Sequence, residues 1–347
     1  MKWSRNSSPT SRPGRGSVRV YMNLREVRGA HGGANAFLRS LRRWLVDNGV
    51  EVTTNVRERV DVALLNALSE GLTLDDVKAI AARGIPIVHR KTGYKGRGGP
   101  EMHRIVDGVV WGDTLQVGFD PWVTHSVFQS GYSRDVFLQS GCRSEYTVVH
   151  NGVDERVFSP DLPARWFGLR SARRRAYWDG RSRLRVIVST WSNNYNKGFH
   201  DYLAIDRQLR GRDDVEMWLV GRVPPDAAFG HVRLFTPRGP RLLAALLRQA
   251  HVILQLSVDD TCSNALIEAL NCGLPAIYLD SGSHREIAGP YGVEYRGDWW
   301  ASVAVVKAAY AQLVERLSTN PFRISMVGPQ YLRILQQAIA KPKPCAA

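Results

Sequence analysis

Residues 259–277 read DDTCSNALIEALNCGLPAI. A β-branched run at 251–256 leads into this polar stretch, and Ala265, Leu266, Ala269 and Leu270 then recur at helical spacing. Gly273 and Pro275 stop the helix, as a glycine past the last turn followed by proline does. The result is a strand, a loop and a helix that carry two carboxylates. Asp260 stands in the loop and Glu268 stands eight residues later. Eight helical residues rise about 12 Å. That matches the distance between the two hydroxyl-rich ends of a nucleotide sugar, with a diphosphate lying across the helix N-terminus between them. The same spacing also suits a capping acid followed by a solvated helix Glu.

The pattern around this stretch is α/β. Strand candidates at 17–23, 50–54, 60–66, 85–89, 126–129 and 146–150 form one series, and 185–190, 215–221, 232–235, 251–256, 276–280 and 292–295 form another. Phe37, Leu38, Leu41, Trp44 and Leu45 mark a helix between the first two strands, and residues 75–82 mark another. Alternation of this kind implies parallel sheets covered by helices, and two series imply two Rossmann-like domains facing a cleft. The expected organisation is a disordered basic tail at 1–16, an acceptor-side domain at 17–160 and an Arg-rich linker at 161–184. A donor-binding domain at 185–323 follows, then a C-terminal segment at 324–347 whose helix crosses back to the first domain.

With 347 residues, two domains can each bury a core. Forty-seven Lys and Arg against 32 Asp and Glu leave a net charge of +15, which favours a polyanionic partner or a membrane surface. Eight arginines fall between Arg165 and Arg185, and Arg39, Arg42 and Arg43 form a second cluster. No apolar run reaches the ~18 residues of a membrane span. The basic, polar N-terminus does not read as a secretory signal. The cysteines form no C-x-x-C pair, and Cys262 and Cys272 suit a packed helix. Asn151–Gly152 reads as a tight turn in which both residues tolerate positive φ.

Asp260-x7-Glu268 followed by Ala-Leu-x-Cys-Gly-x-Pro resembles the E-x7-E signature of the family-4 retaining glycosyltransferases, which have the GT-B fold. Further segments match in order. HGGAN at 31–35 resembles the glycine loop, and FQSGYSRDVF with VVHNGVDERVFSP the end of the first domain. STWSNNYNKGF at 189–199 resembles the phosphate-binding segment, LVGR at 219–222 the strand after it and SGSHREIAG at 281–289 the loop after the signature. The resemblance implies that the backbone at Gly32 and Gly33 approaches the donor phosphate and that Lys197 neutralises the diphosphate. Glu268 would hold the ribose, while Asp260 and the amides near Ser263 and Asn264 would hold the transferred sugar. It implies no metal and no cofactor beyond the nucleoside-diphosphate sugar itself.

Three positions depart from the family pattern. The first acid is Asp, one methylene shorter than Glu. Trp191, Ser192 and Asn193 fill the region where an Arg precedes the Lys, leaving Arg222 as a substitute. Thr92 stands where the family has a His near the reacting centre, leaving His89 and Arg90 as nearby catalytic candidates. For His89 the alternative is a strand-end residue packed beneath the loop. The reading is a metal-independent glycosyltransferase acting on a cell-surface polysaccharide or glycolipid acceptor. The expected location is cytoplasmic, with a peripheral position on an anionic inner membrane face as the further option. The alternatives are a non-catalytic nucleotide-sugar-binding relative and, less favoured, a basic nucleic-acid-binding protein, for which no recognised motif is present.

Overall fold

The computed structural model describes residues 17–24, 33–66, 72–93, 105–106, 109–110, 113–161, 175–236 and 239–341. The tail 1–16, His31 and Gly32 of the glycine loop, linker residues 162–174 and residues 342–347 lie outside the described residues.

The first sheet contains β1 (Arg19–Met22), β2 (Glu51–Thr53), β3 (Val62–Asn66), β4 (Ile87–Arg90), β7 (His125–Phe128) and β8 (Tyr146–Val148), in the order β2-β1-β3-β4-β7-β8. Every pairing in it is parallel. A two-stranded hairpin, β5 (Ile105–Val106) and β6 (Val109–Val110), interrupts the series and was not legible in the sequence. The second sheet contains β9 (Leu184–Thr190), β10 (Val215–Gly221), β11 (Arg233–Phe235), β12 (Val252–Gln255), β13 (Ala276–Leu279) and β14 (Gly292–Tyr295). Its order is β11-β10-β9-β12-β13-β14, again all parallel. The chain moves outward on one side of β9, then returns to build β12 on the other. A crevice therefore opens between the carboxyl ends of β9 and β12.

Helices cover both faces of each sheet. Phe37, Leu38, Leu41 and Leu45 line the buried stripe of α1 (Gly33–Asp47), against the first sheet. On the other face lies α2 (Leu74–Ala82), opened by a capping box between Thr73 and Asp76. The rest of the first domain holds α3 (Asp113–Gly118) and α4 (Gly131–Gln139). In the second, α5 (Phe199–Gln208) and α9 (Trp299–Arg316) pack on one face of the sheet, and α6 (Pro240–Gln249) and α7 (Asn264–Asn271) on the other. The short α8 (His284–Ala288) follows β13. Trp299 is buried in the second domain's own core, and Trp300 lies under the Arg212 guanidinium at 3.9 Å.

The last helix, α10 (Ile324–Ala340), lies on the first sheet, with Tyr331, Ile334 and Leu335 buried beside Phe37, Leu41 and Val88. Its contact with α1 is close at Gly328, where a Cβ would sit 2.3 Å from the Trp44 ring. We expect Gly328→Ala to destabilise the protein by about 1–3 kcal/mol through overpacking, despite alanine's better helix propensity. Urea denaturation measures this, and a gain in stability would contradict the contact.

Candidate functional site

The crevice between β9 and β12 is built by two loops. After β9, Asn194 caps a short 3-10 turn that ends in Lys197, and Gly198 follows at φ +93°. A Cβ on Gly198 would lie 2.8 Å from the Leu256 carbonyl oxygen, so only glycine lets this turn settle on the end of β12. That contact brings Lys197 Nζ to 3.0 Å from Asp260 Oδ2 in the second loop.

Asp260 is held from several directions. Ser257 Oγ donates to its Oδ2 at 3.4 Å, and Ser283 N donates to its main-chain oxygen at 2.8 Å. The α-carbon of Gly282 (φ +59°) abuts the Asp260 backbone so closely that a Cβ would lie 2.4 Å from its oxygen. His284, fully buried, spans Ser257 Oγ at 3.1 Å and the Leu279 carbonyl at 2.9 Å. Burial pushes the Asp260 carboxyl pKa up. The charges of Lys197 and His284 and the Cys262 N–H outweigh it and hold the pKa below the usual range. Asp260 is thus a carboxylate whose counter-ion is a half-exposed lysine that a bound anion can take over.

Ser263 caps α7, accepting from Leu266 N, and Gly273 (φ +86°) closes the helix. Because α7 begins at Asn264, residues 260–263 are loop. The distance from Asp260 to Glu268 is therefore set by the loop and one helical turn, not by eight helical residues. Glu268 is 7% exposed, and burial alone pushes its carboxyl pKa up to about 8. It lines a cavity of about 180 Å³ between α1 and α7, with Phe37, Arg43, Asp154, Pro240 and Asn264 around it.

The remaining candidates fall in different places. Gly33 opens α1. Arg222 follows β10 with an exposed side chain, and its N–H donates to the Thr190 carbonyl at 3.1 Å. His89 is fully buried on β4, tilted against Phe119 at 5.5 Å, and neither ring nitrogen has a partner among the described residues. Burial, with the nearby Lys91 charge, holds its pKa well below the usual value. As placed it is a neutral core residue rather than a group open to the cleft. Thr92 is also buried, locked to Gln116 by two hydrogen bonds.

Arg90 is fully buried too, and it is a junction. Its guanidinium donates at 2.6 Å to each of Asn66 Oδ1, Gln129 Oε1 and Asn151 Oδ1, and it lies 4.8 Å above the Phe37 ring. Asn151 Nδ2 in turn donates to Asn264 Oδ1 at 3.1 Å, across the domain boundary. Neither Asn151 nor Gly152 has a positive φ, contrary to the tight-turn expectation. Gly152 is instead placed where a Cβ would meet Val327 at 3.0 Å. Sequence reasoning did not single out His284, Ser130 or Glu286. They stand in segments that it marked, but no local pattern shows which of those side chains turn toward the site.

Residues 184–320 match the family described as Glycosyl transferases group 1. The MMP α-(1→4)-mannosyltransferase of Mycolicibacterium hassiacum is 26% identical over a stretch covering 57% of this chain and 50% of that protein. The match thus spans about half the length of this curated relative. Sucrose-phosphate synthase from Thermosynechococcus elongatus superposes with a TM-score of 0.66 at 12% identity, over 93% of this chain and 99% of that one. The catalytic domain of starch synthase IV from Arabidopsis thaliana, bound to ADP and acarbose, gives 0.55 at 12% identity, over 90% and 79%. The fold is GT-B.

Two outcomes follow from the buried charges of this GT-B protein. Arg90→Ala removes three buried charge-assisted hydrogen bonds and leaves Gln129 Oε1 only the Asn151 Nδ2 donor, and we expect it to cost about 3–5 kcal/mol in urea denaturation. For Glu268 the folded-state pKa lies above the ordinary 4.5, so between these values the folded chain holds a proton that the unfolded chain has released. Its contribution is full below pH 4.5 and is lost as pH rises through about 8. Glu268→Gln should therefore equal the parent at pH 4.5. At pH 9 it should exceed the parent by on the order of 3–5 kcal/mol, and equal stabilities at both pH values would refute this.

Proposed function

We propose that this chain is a glycosyltransferase that moves a sugar from a nucleoside-diphosphate sugar to a hydroxyl of a glycan or lipid-linked acceptor, with retention and without a metal. The observation that carries the reading is the Lys197–Asp260 pair at the crevice, with Glu268 one turn into the adjoining helix. The family match over 184–320 and the likeness to a mannosyltransferase support it. The ADP bound to starch synthase IV supports a nucleoside-diphosphate donor.

In the transfer, the bond from the anomeric carbon to the phosphate oxygen breaks and the acceptor oxygen bonds to that carbon. The acceptor proton is released, and the nucleoside diphosphate leaves. Lys197 turns from Asp260 to the diphosphate and offsets its developing charge. Asp260, released from the lysine, accepts from hydroxyls of the transferred sugar, and Glu268 accepts from the ribose. The backbone at Gly32 and Gly33 approaches the phosphates, and the first domain receives the acceptor. Ser263, Asn264 and Arg222 complete the donor contacts. The +15 charge supports a peripheral position on an anionic inner leaflet. Among the described residues no helix is long and apolar enough to cross a membrane.

A second reading, a non-catalytic donor-binding relative, is favoured by Thr92 where the family pattern has His and by Trp191, Ser192 and Asn193 filling the region where it has Arg. One panel separates the two. Nucleoside diphosphates and their sugar conjugates are screened by thermal shift, with Glu268→Ala as control. A true donor at 100 times its Kd should add about 2.7 kcal/mol of stability, lost in the variant. Transfer should then be measurable with that donor and fall about 10²–10³-fold in Lys197→Ala. Binding without transfer or hydrolysis would favour the second reading. No stabilisation by any member would refute both.

A further inference from the structure

A small set of polar contacts joins the two domains beside the loop that carries Asp260. The Glu286 carboxylate, on α8 of the second domain, accepts from Gly131 N at 2.8 Å and Tyr132 N at 2.9 Å. These are the first two residues of α4 in the first domain, whose N–H groups have no partner within the helix. His150 Nε2, also of the first domain, lies 3.3 Å from the same carboxylate. Ser130 Oγ caps α4 by accepting from Ser133 N at 2.9 Å, and it donates across the boundary to the Thr261 carbonyl at 2.7 Å. Thr261 is the residue after Asp260.

Glu286 is tied mechanically to Asp260. Ser281 Oγ accepts from Asp259 N at 2.9 Å, Ser283 N donates to the Asp260 oxygen, and Gly282 abuts the Asp260 backbone. The loop before α8 and the loop after β12 therefore move together. Burial alone would favour the neutral form of Glu286. The His150 contact and the two backbone N–H groups outweigh it and hold the carboxyl pKa below the usual range. The helix end strengthens this, because its partial positive charge attracts an anion.

The cavity beside Glu268 measures about 180 Å³, below the ~300 Å³ at which small-molecule sites begin. A nucleoside diphosphate reaching Glu268 would pass between α1 and α7, beside the contacts at α4. Glu286 faces α4 and does not line that cavity.

We propose that Glu286 is an interdomain latch and a positioning residue for the transfer: seated on the first N–H groups of α4, it holds the Asp260 loop against the first domain in the closed state. Its catalytic consequence rests on the glycosyltransferase reading. Its conformational consequence does not.

The test uses the full chain and the nucleoside diphosphate that gives the largest thermal shift. Glu286→Ala should raise the radius of gyration of the free protein in small-angle scattering. It should leave the diphosphate Kd within about twofold and lower kcat by about 10²-fold, the cost of ångström-scale misplacement at a reacting centre. Donor KM should move little. Glu286→Gln keeps one acceptor oxygen and should recover part of kcat. Gly131→Ala guards against a trivial folding defect. It places a Cβ 3.2 Å from the Glu286 carboxylate while favouring the helix, so kcat should fall with the melting temperature unchanged or raised. Unchanged scattering in Glu286→Ala would overturn the latch. Opened scattering with unchanged kcat would overturn the positioning role. A parent protein that transfers no sugar would defeat the transferase reading and leave the scattering comparison to decide the latch.

Discussion

A buried guanidinium ties the first domain together where it meets the second. Among the described residues Arg90 has no carboxylate as a hydrogen-bond partner, and it places its charge on three neutral amide oxygens and the face of Phe37. Charge-assisted bonds of this kind are stronger than neutral ones, and their partners come from different parts of the chain. Asn66 ends β3, Gln129 follows β7, Asn151 opens the connection to the second domain and Phe37 belongs to α1. Through Asn151 the network reaches Asn264, the first residue of α7. The helix that carries Glu268 therefore touches the other domain at its first residue.

The second domain supplies the complementary constraint. Its strand order places the ends of β9 and β12 side by side, and the close approach of Gly198 to Leu256 brings a lysine from one loop onto an aspartate from the next. The result is an ion pair that a ligand anion can open, beside a buried carboxyl whose pKa burial pushes up to about 8. The boundary beside them is crossed by hydrogen bonds to Ser130, Glu286 and Asn151. Polar contacts of this sort can exchange with water, whereas separating a continuous apolar core would expose it.

Much of the fold was legible because buried parallel strands read as β-branched runs, and both sheets follow from them. The helix stop at Gly273 was equally plain, since few residues other than glycine take the φ of +86° found there. The hairpin of β5 and β6 was not legible, because two-residue strands carry no periodicity. Nor did the sequence distinguish the roles of His89 and Arg90. The strand IVHR is buried on both faces, so alternation names no solvent side.

The sequence by itself determined the two α/β series, the helix carrying Glu268 and the proximity of Asp260 to that helix, because these depend on local periodicity and on glycine's conformational range. Only the tertiary structure decided that Lys197 meets Asp260, that Arg90 is a structural junction and that Glu286 grips α4. These contacts join residues 24 to 155 positions apart in the chain. Their geometry is set by packing between loops, where side-chain direction leaves no periodic trace in the sequence.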